Sequence, residues 1–205
     1  MIPKKYIIAG IGTEVGKTVV SAIVTQKLKA HYWKPIQAGD LHQSDTIKVT
    51  NWVSNKHSIF YPEAYQLNHP MSPHAAADLD NVCIELSKLT APQTSNNLVI
   101  ELAGGLLVPL NHKETNLNFI QQLDIPVILV VNFYLGSINH TLLSIELLKS
   151  NGIEIAGLIF NGHINIDSKN IILKMTGCTN LGTVPKIEGQ ITPQIIDTYG
   201  KHIKI

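Results

Sequence analysis

A chain of 205 residues with 44% hydrophobic residues is long enough for one substantial core and short for two domains of ordinary size, so we expect a single domain, residues 1–205. Its 16 basic and 15 acidic residues nearly balance, which disfavours nucleic acid or a membrane surface as the main partner. The two cysteines, Cys83 and Cys178, lack metal-ligand spacing, so we expect them to be buried thiols in a reducing compartment. No apolar stretch approaches the ~20 residues that span a bilayer, so we expect a soluble, cytoplasmic protein.

Apolar runs and helical patterns alternate along the chain. Runs rich in β-branched residues, typical of strands buried on both faces, lie at residues 6–9, 98–102, 126–132 and 153–160. Helical spacing is found at residues 17–30, 79–89 and 137–150, and a loop-rich segment covers about residues 54–74. This alternation predicts an α/β fold with a mostly parallel central sheet and helices on both faces.

A glycine-rich loop, GIGTEVGKT at residues 10–18, lies between the first predicted strand and the first predicted helix. Its backbone amides and the helix N-terminus can hold phosphates, with Lys17 on the β- and γ-phosphates and the Thr18 hydroxyl on Mg²⁺. The loop is one residue longer than the common pattern, which would require glycine where Ile11 stands. We therefore predict a P-loop NTPase-like domain that binds a nucleoside triphosphate.

A second lysine, Lys34, follows the first predicted helix at about the distance of a second strand. It should therefore reach the same edge of the sheet, where it would meet the charge that develops on a transferring phosphoryl group. A lysine before a proline is also often simply solvated, and only the neighbouring motifs favour the functional role.

Two carboxylates are candidate ligands of Mg²⁺, which prefers oxygen donors. Glu101 ends an apolar strand and precedes Gly104 and Gly105, which favours the carboxyl edge of the sheet, whereas a capping or salt-bridged glutamate is the alternative. Asp45 precedes a helical pattern, where aspartate is commonly an N-cap, so both roles stay open for it.

The segment LGSINH at residues 135–140 opens the last of the predicted helices. Free amides at this helix start could bind a carboxylate, with Ser137 or Asn139 as the cap. Serine and asparagine are also ordinary helix caps, so a purely structural role fits the pattern equally well.

Separate blocks of the chain resemble dethiobiotin synthetase. The blocks lie at residues 10–18, 34–39, 44–45, 72–74, 101–110, 135–140 and 158–161 and extend over most of the chain. The lengthened loop with TEVGKT and the GSINH helix start carry the likeness most specifically. The resemblance implies ATP- and Mg²⁺-dependent closure of the ureido ring of dethiobiotin from 7,8-diaminononanoate and CO₂, through a carbamate and a carbamic–phosphoric anhydride.

The resemblance also assigns residues to this reaction. It implies a catalytic role for Lys17, Lys34 and Thr13, and a Mg²⁺ site at Thr18, Asp45 and Glu101. The ATP contacts that it implies are Glu14, Val15, Gly16, Lys17, Thr18, Val19, Asp45, Glu101 and Gly104, with Asn161, Val184, Pro185 and Lys186 near adenine. The substrate contacts that it implies are Thr13, Lys34, Gln37 and Ala38, and, from the partner subunit of a homodimer, Gly136, Ser137 and Asn139.

Three positions depart from the family pattern. Gly12 stands where the family often has aspartate, Ala38 where a serine commonly contacts the substrate, and Leu102 where a glycine follows the metal-binding glutamate. Gln37 could take over the contact that Ala38 cannot make. The departures remove no charge that the reaction needs.

Three other functions fit parts of the pattern. A partition-type switch ATPase of the deviant P-loop group needs a lysine at position 12, which is Gly12 in this chain. An amide ligase of the cobyrinate type carries an extra glutaminase domain, for which 205 residues leave no room. A nucleotide-binding module without catalysis would not need Lys17, Lys34, Asp45 and Glu101 together.

Overall fold

The computed structural model describes residues 3–205 and confirms the α/β fold. In chain order the strands are β1 (Lys5–Gly10), β2 (His31–Trp33), β3 (Ile36–Ala38), β4 (Phe60–Tyr61), β5 (Tyr65–Leu67), β6 (Leu98–Gly105), β7 (Val127–Asn132), β8 (Ile155–Gly162) and β9 (Asn180–Pro185). The helices are α1 (Lys17–Leu28), α2 (Asp45–Trp52), α3 (Pro73–Leu79), α4 (Asn116–Leu123), α5 (Ser137–Ser150), α6 (Ile166–Thr176) and α7 (Pro193–Gly200).

Strand β1 lies at the centre of a seven-stranded parallel sheet with the order β4-β2-β6-β1-β7-β8-β9. Ile8 on β1 pairs with Glu101 on β6, and Gly10 pairs with Val130 on β7. Because parallel strands end at the same edge of a sheet, the loops that follow β1, β6 and β7 meet there. Strands β3 and β5 form a separate two-stranded parallel sheet.

The core is built on the central strands, whose side chains are buried on both faces. Ile7 and Ile8 on β1, Ile100 on β6 and Leu129 on β7 are fully buried. Burying each such side chain contributes roughly 1.5–3 kcal/mol, and helices on both faces of the sheet make this burial possible. Within residues 3–205, no helix combines the length and the apolar character that crossing a bilayer requires.

The prediction of a helix at residues 79–89 is wrong. Helix α3 ends at Leu79, where that helix was expected to begin, and Asn81 has a left-handed backbone with φ +55°. Ile84, Leu86 and Leu89 are buried and mimic helical spacing, but they lie on an irregular segment with a single 3₁₀ turn. Apolar spacing alone cannot distinguish a buried loop from a helix.

The segment at residues 54–74 is loop-rich as expected, and only the short strands β4 and β5 and the start of α3 interrupt it. Two smaller expectations need correction. Cys83 is exposed in the turn after α3, and Cys178 is partly exposed after α6, so neither thiol is buried. The cap of α5 is Gly136, with φ +99°, in place of Ser137 or Asn139, because only glycine adopts that backbone cheaply.

Candidate active site

A cavity of about 890 Å³ opens at the carboxyl edge of the central sheet. The loops after β1, β3 and β6 surround it, as expected for ligand sites of open parallel sheets. Twelve of the residues that sequence analysis assigned to the site line this cavity: Thr13, Glu14, Gly16, Lys17, Thr18, Val19, Lys34, Gln37, Ala38, Asp45, Glu101 and Gly104. The loop, both lysines and both carboxylates therefore converge on one space.

The glycine-rich loop wraps around the side chain of Lys17. The buried Lys17 ammonium donates to the carbonyl oxygen of Gly12 over 3.0 Å. Gly16 caps α1 with φ +93°, and a Cβ there would lie 2.1 Å from Nδ2 of Asn161. The Asn161 amide in turn donates to the carbonyl of Val15 over 3.0 Å. The loop is thus shaped by its glycine and tied to strand β8.

The buried environment of Lys17 lowers its pKa. Burial, with a smaller effect from the charge of Lys34, lowers the pKa of Lys17 to about 8, although Glu101 and Asp45 act to raise it. Burial removes water that would stabilise the charge of this ammonium. A bound phosphate would stabilise that charge instead, so the site favours an anion.

Two carboxylates, a hydroxyl and a second ammonium form a compact cluster beside the loop. The Thr18 hydroxyl donates to Oε1 of Glu101 over 2.9 Å. The ammonium of Lys34 is in contact with Oδ2 of Asp45 and lies 3.5 Å from Oε1 of Glu101. Lys48 approaches the other Asp45 oxygen at 3.2 Å. Ser44 caps α2, which leaves the Asp45 carboxylate free for this cluster.

The pKa shifts follow from these contacts. Burial works against the charged form of Lys34, but Glu101 and Asp45 outweigh it and raise the pKa of Lys34. Burial likewise opposes ionisation of Asp45, yet Lys34 and Lys48 outweigh it and lower the pKa of Asp45 below its usual range. Both groups are therefore charged at neutral pH.

The cluster offers the oxygen ligands that Mg²⁺ prefers. Thr18, Asp45 and Glu101 supply one hydroxyl and two carboxylates at the cavity wall. Within residues 3–205, His, Cys, Asp and Glu side chains form no group of three or more that could hold a metal. Mg²⁺ commonly uses one or two carboxylates together with the phosphates of a nucleotide, so this donor set fits a metal that arrives with its nucleotide.

Two further contacts support the cluster: one from Gln37, which sequence analysis assigned only to the substrate, and one from Tyr32, which it missed. The Gln37 amide accepts from the backbone N–H of Asp45 over 3.2 Å and donates to the carbonyl of Gly39 over 2.9 Å, so it holds the start of α2. The Tyr32 hydroxyl donates to Oε2 of Glu101 over 2.9 Å. Burial, with the charge of Glu101, raises the pKa of Tyr32 well above its usual value, so the phenol keeps its proton. Tyr32 stands in a short apolar run that reads as core.

One wall of the cavity is apolar and was also missed. Trp52 and Met71 line it together with Ile36, Pro70 and Val108. Gly39, with φ +72°, allows this wall to close, since a Cβ there would lie 2.5 Å from Cα of Pro70. These residues lie in short or irregular segments that lack a chemical signature in the sequence, so only folding brings them together.

The remaining residues assigned from the sequence lie outside the cavity lining. Val15, Asn161, Val184, Pro185 and Lys186 are grouped through the β8–β9 pairing, in which Asn161 is opposite Val184. The Val184 side chain is fully buried, whereas the Lys186 side chain is about half exposed. Gly136, Ser137 and Asn139 begin α5; Asn139 is exposed and Ser137 is buried.

Comparisons with known proteins identify relatives along the whole chain. A family model described as an AAA domain matches residues 4–194. The ATP-dependent dethiobiotin synthetase BioD of Christiangramia forsetii is 50% identical over 98% of this chain and 99% of its own. The proteins of the same name from Cytophaga hutchinsonii and Chlamydia pneumoniae are 48% and 42% identical, over 96% and 98% of this chain and 95% and 90% of their own.

Solved structures with the same fold are more distant in sequence. The cell division ATPase MinD of Pyrococcus furiosus superposes with a TM-score of 0.62 at 13% identity, covering 98% of each chain. A plasmid partition protein of Borrelia burgdorferi reaches a TM-score of 0.56 at 18% identity, covering 98% of this chain and 99% of its own. At this identity the likeness concerns the fold alone.

Proposed function

The chain belongs to the dethiobiotin synthetase family of ATP-dependent ligases, and we propose that it closes the ureido ring of dethiobiotin from 7,8-diaminononanoate, CO₂ and ATP. The observation that carries the proposal is the convergence of Lys17, Lys34, Asp45 and Glu101 on one cavity beside the glycine-rich loop. The cavity also has an apolar wall, which suits the aliphatic chain of the diamine.

The proposed reaction has three steps. One amine attacks CO₂, loses a proton and becomes a carbamate. A carbamate oxygen then attacks the γ-phosphorus of ATP, which gives a carbamic–phosphoric anhydride and releases ADP. The second amine attacks the carbonyl carbon, loses a proton and expels inorganic phosphate, which leaves the cyclic urea. No covalent bond to the protein is required, so the contribution of the chain is positioning and electrostatic stabilisation.

The two lysines have separate proposed roles. Lys17 binds the β- and γ-phosphates from within the loop, because it is the loop's own ammonium and is desolvated. Lys34 stabilises the carbamate and the phosphoryl group in transfer, because its two carboxylate partners hold it charged at the cavity wall. Thr13 lies on the same wall and is proposed to contact the diamine and its carbamate.

Gln37 and Ala38 are proposed to border the diamine. Ala38 has no hydroxyl, so a polar contact at this point must come from a neighbour. The Gln37 amide is engaged with Asp45 and Gly39, and it retains one N–H for a substrate atom. Gln37 would thus hold the start of α2 in place and also contact the substrate.

Thr18, Asp45 and Glu101 are proposed to hold the Mg²⁺ of the nucleotide. When bound, the ion would neutralise charge on the β- and γ-phosphate oxygens. The chain's own contribution is to keep three hard oxygen donors on one wall, with Thr18 and Glu101 already within hydrogen-bonding distance.

The rest of the nucleotide site is proposed from the loop and the last two strands of the sheet. The residues proposed to contact ATP beyond the lysine and metal groups are Glu14, Val15, Gly16, Val19 and Gly104. Asn161, Val184, Pro185 and Lys186 are proposed to border adenine. Asn161 supports this because its amide touches the loop through Val15. Val184 is buried, so its contact would be through its backbone.

A homodimer is proposed to complete the substrate site. Gly136, Ser137 and Asn139 would bind the carboxylate tail of a diamine held by the partner subunit. In support, the α5 start lies outside the cavity lining of its own chain, and it is bordered by a fully exposed Leu135. An exposed leucine beside an anion-binding helix start suits an interface between copies.

We also propose that residues 1–205 act as one domain in the cytoplasm. One contiguous core supports the single domain. The exposed thiol of Cys83 and the need for ATP support a reducing, ATP-containing compartment.

Phosphate release tests this proposal. Purified protein is supplied with ATP, Mg²⁺ and bicarbonate, with and without 7,8-diaminononanoate. We expect phosphate release to depend on the diamine. Hydrolysis at the same rate without the diamine would contradict the proposal and favour a switch ATPase.

A further inference from the structure

We propose that Tyr32 is a positioning residue that fixes the orientation of the Glu101 carboxylate for the metal of the bound nucleotide. The two oxygens of Glu101 have different partners: Oε1 accepts from Thr18 over 2.9 Å and lies 3.5 Å from the Lys34 ammonium, while Oε2 accepts from the Tyr32 hydroxyl over 2.9 Å. The inference rests on the proposed Mg²⁺–ATP site and adds to it a residue that touches neither nucleotide nor substrate.

Tyr32 lies in the sheet next to the site and does not face the cavity. Its side chain is fully buried, and it lies outside the lining of the cavity. Strand β2 pairs directly with β6, with Tyr32 opposite Val99 and Trp33 opposite Ile100, so the phenol rises beside Glu101 from the neighbouring strand. Both ends of the hydrogen bond are therefore anchored in the sheet.

The hydrogen bond has one clear physical effect. Backbone pairing fixes the Cα of Glu101, but the terminal torsion of a glutamate is broad, so the carboxylate plane needs an external constraint. A buried O–H donor on Oε2 sets that plane and leaves Oε1 facing Thr18 and the cavity. Hydrogen bonds from outer groups to metal-binding side chains commonly contribute about 10–100-fold to metal affinity.

The test is the Tyr32→Phe variant, which removes the hydroxyl and keeps the ring. ATP binding is titrated by calorimetry in EDTA and at a series of Mg²⁺ concentrations. We expect the half-saturating Mg²⁺ concentration to rise about 10–100-fold, while ATP affinity in EDTA stays as in the wild type. The matched control is Tyr61→Phe: the Tyr61 hydroxyl pairs with Nδ1 of His31 over 3.1 Å on strand β4, away from the cavity. This control should leave both titrations unchanged.

Two results would overturn the inference. One is a Tyr32→Phe variant with a wild-type Mg²⁺ titration, and the other is an equal loss of ATP affinity with and without Mg²⁺, which would mark a general packing defect. A wild-type protein whose ATP binding ignores Mg²⁺ would contradict the metal site itself, and the inference with it, so the two failures are distinguishable. If Tyr32→Phe melts near the assay temperature, all proteins are titrated in the cold with a stabilising osmolyte.

Discussion

The hydroxyl of Thr18 and the carboxylate of Glu101 are 83 positions apart in the chain and meet over 2.9 Å. They meet because β1 and β6 are adjacent in the sheet, so the first turn of α1, which follows β1, faces Glu101 in the middle of β6. A hydroxyl and a carboxylate at this distance can share one Mg²⁺ with a nucleotide.

Glu101→Gln should therefore weaken the Mg²⁺ dependence of ATP binding. The amide keeps the shape of the side chain but removes its charge, and we expect the half-saturating Mg²⁺ concentration to rise by at least about 10-fold. The control is Glu85→Gln, which alters an exposed ion pair with Lys88 outside the cavity. An unchanged metal titration in Glu101→Gln would remove Glu101 from the metal site.

Lys34→Ala should lower turnover far more than ATP affinity. Loss of a preorganised charge that acts on the transition state typically costs about 10²–10³ in kcat, whereas the loop and Lys17 remain to bind ATP. Steady-state kinetics and ATP calorimetry measure the two effects separately. Lys201→Ala, on an exposed ion pair with Asp197, is the control for loss of a lysine. Near wild-type turnover in Lys34→Ala would exclude it from catalysis.

ATP affinity should decrease as pH rises through about 8, the value to which burial and the neighbouring charges together bring the pKa of Lys17. The phosphates bind the ammonium form, so ATP binding takes up a proton above this pH. The apparent Kd should then increase by up to about tenfold per pH unit until the pKa of the complex is reached. Calorimetry between about pH 7 and pH 9.5 measures it. Lys17→Arg stays charged in this range and should lack the inflection; a flat wild-type profile would contradict the assignment.

Mixing Lys34→Ala and Asn139→Ala subunits should restore activity if two chains share each site. The first variant lacks a residue of the cavity, and the second lacks the exposed Asn139 at the start of α5. Random exchange gives about half mixed dimers, each with one intact site, so recovery should approach about a quarter of wild-type activity. Each variant incubated alone is the control. No recovery after confirmed exchange would argue for sites within one chain.

Gly39→Ala should destabilise the fold more than Gly177→Ala. Both glycines have positive φ, +72° and +66°, so alanine pays a similar backbone cost of about 1 kcal/mol at each. At Gly39 the new Cβ would also meet Cα of Pro70 at 2.5 Å, whereas among the described residues Gly177 faces open space. Such overpacking adds typically about 1–3 kcal/mol. Urea denaturation measures the difference, and equal losses would contradict the close approach.

The parts of the fold predicted from the sequence are those with strong local patterns. Helix α5 was predicted with its observed bounds, and α1 begins at Lys17 as expected, because a glycine loop and apolar spacing mark both starts. Strand β2 has only three residues and β4 two, too few for a periodic signal. The misread segment at residues 79–89 has buried apolar residues at helical spacing but an interrupted backbone at Asn81.

The residues of the candidate site also differ in how clearly the sequence indicates them. Four residues stand in sequence motifs that indicate their chemistry, and folding brings them to one cavity: Lys17, Thr18, Asp45 and Glu101. Tyr32 stands in a run that reads as core, and its contact with Glu101 depends on strand order. Trp52 and Met71 face the cavity only after the chain has folded, so neither spacing nor residue type could indicate them.

The most direct test of the proposed reaction uses ¹³C-labelled bicarbonate with ATP, Mg²⁺ and 7,8-diaminononanoate, and follows the product by mass spectrometry. We predict dethiobiotin that is heavier by the mass of the label, formed in equal amount with the inorganic phosphate released. ATP hydrolysis without labelled product, at a rate indifferent to the diamine, would contradict ring closure as the function of this cavity.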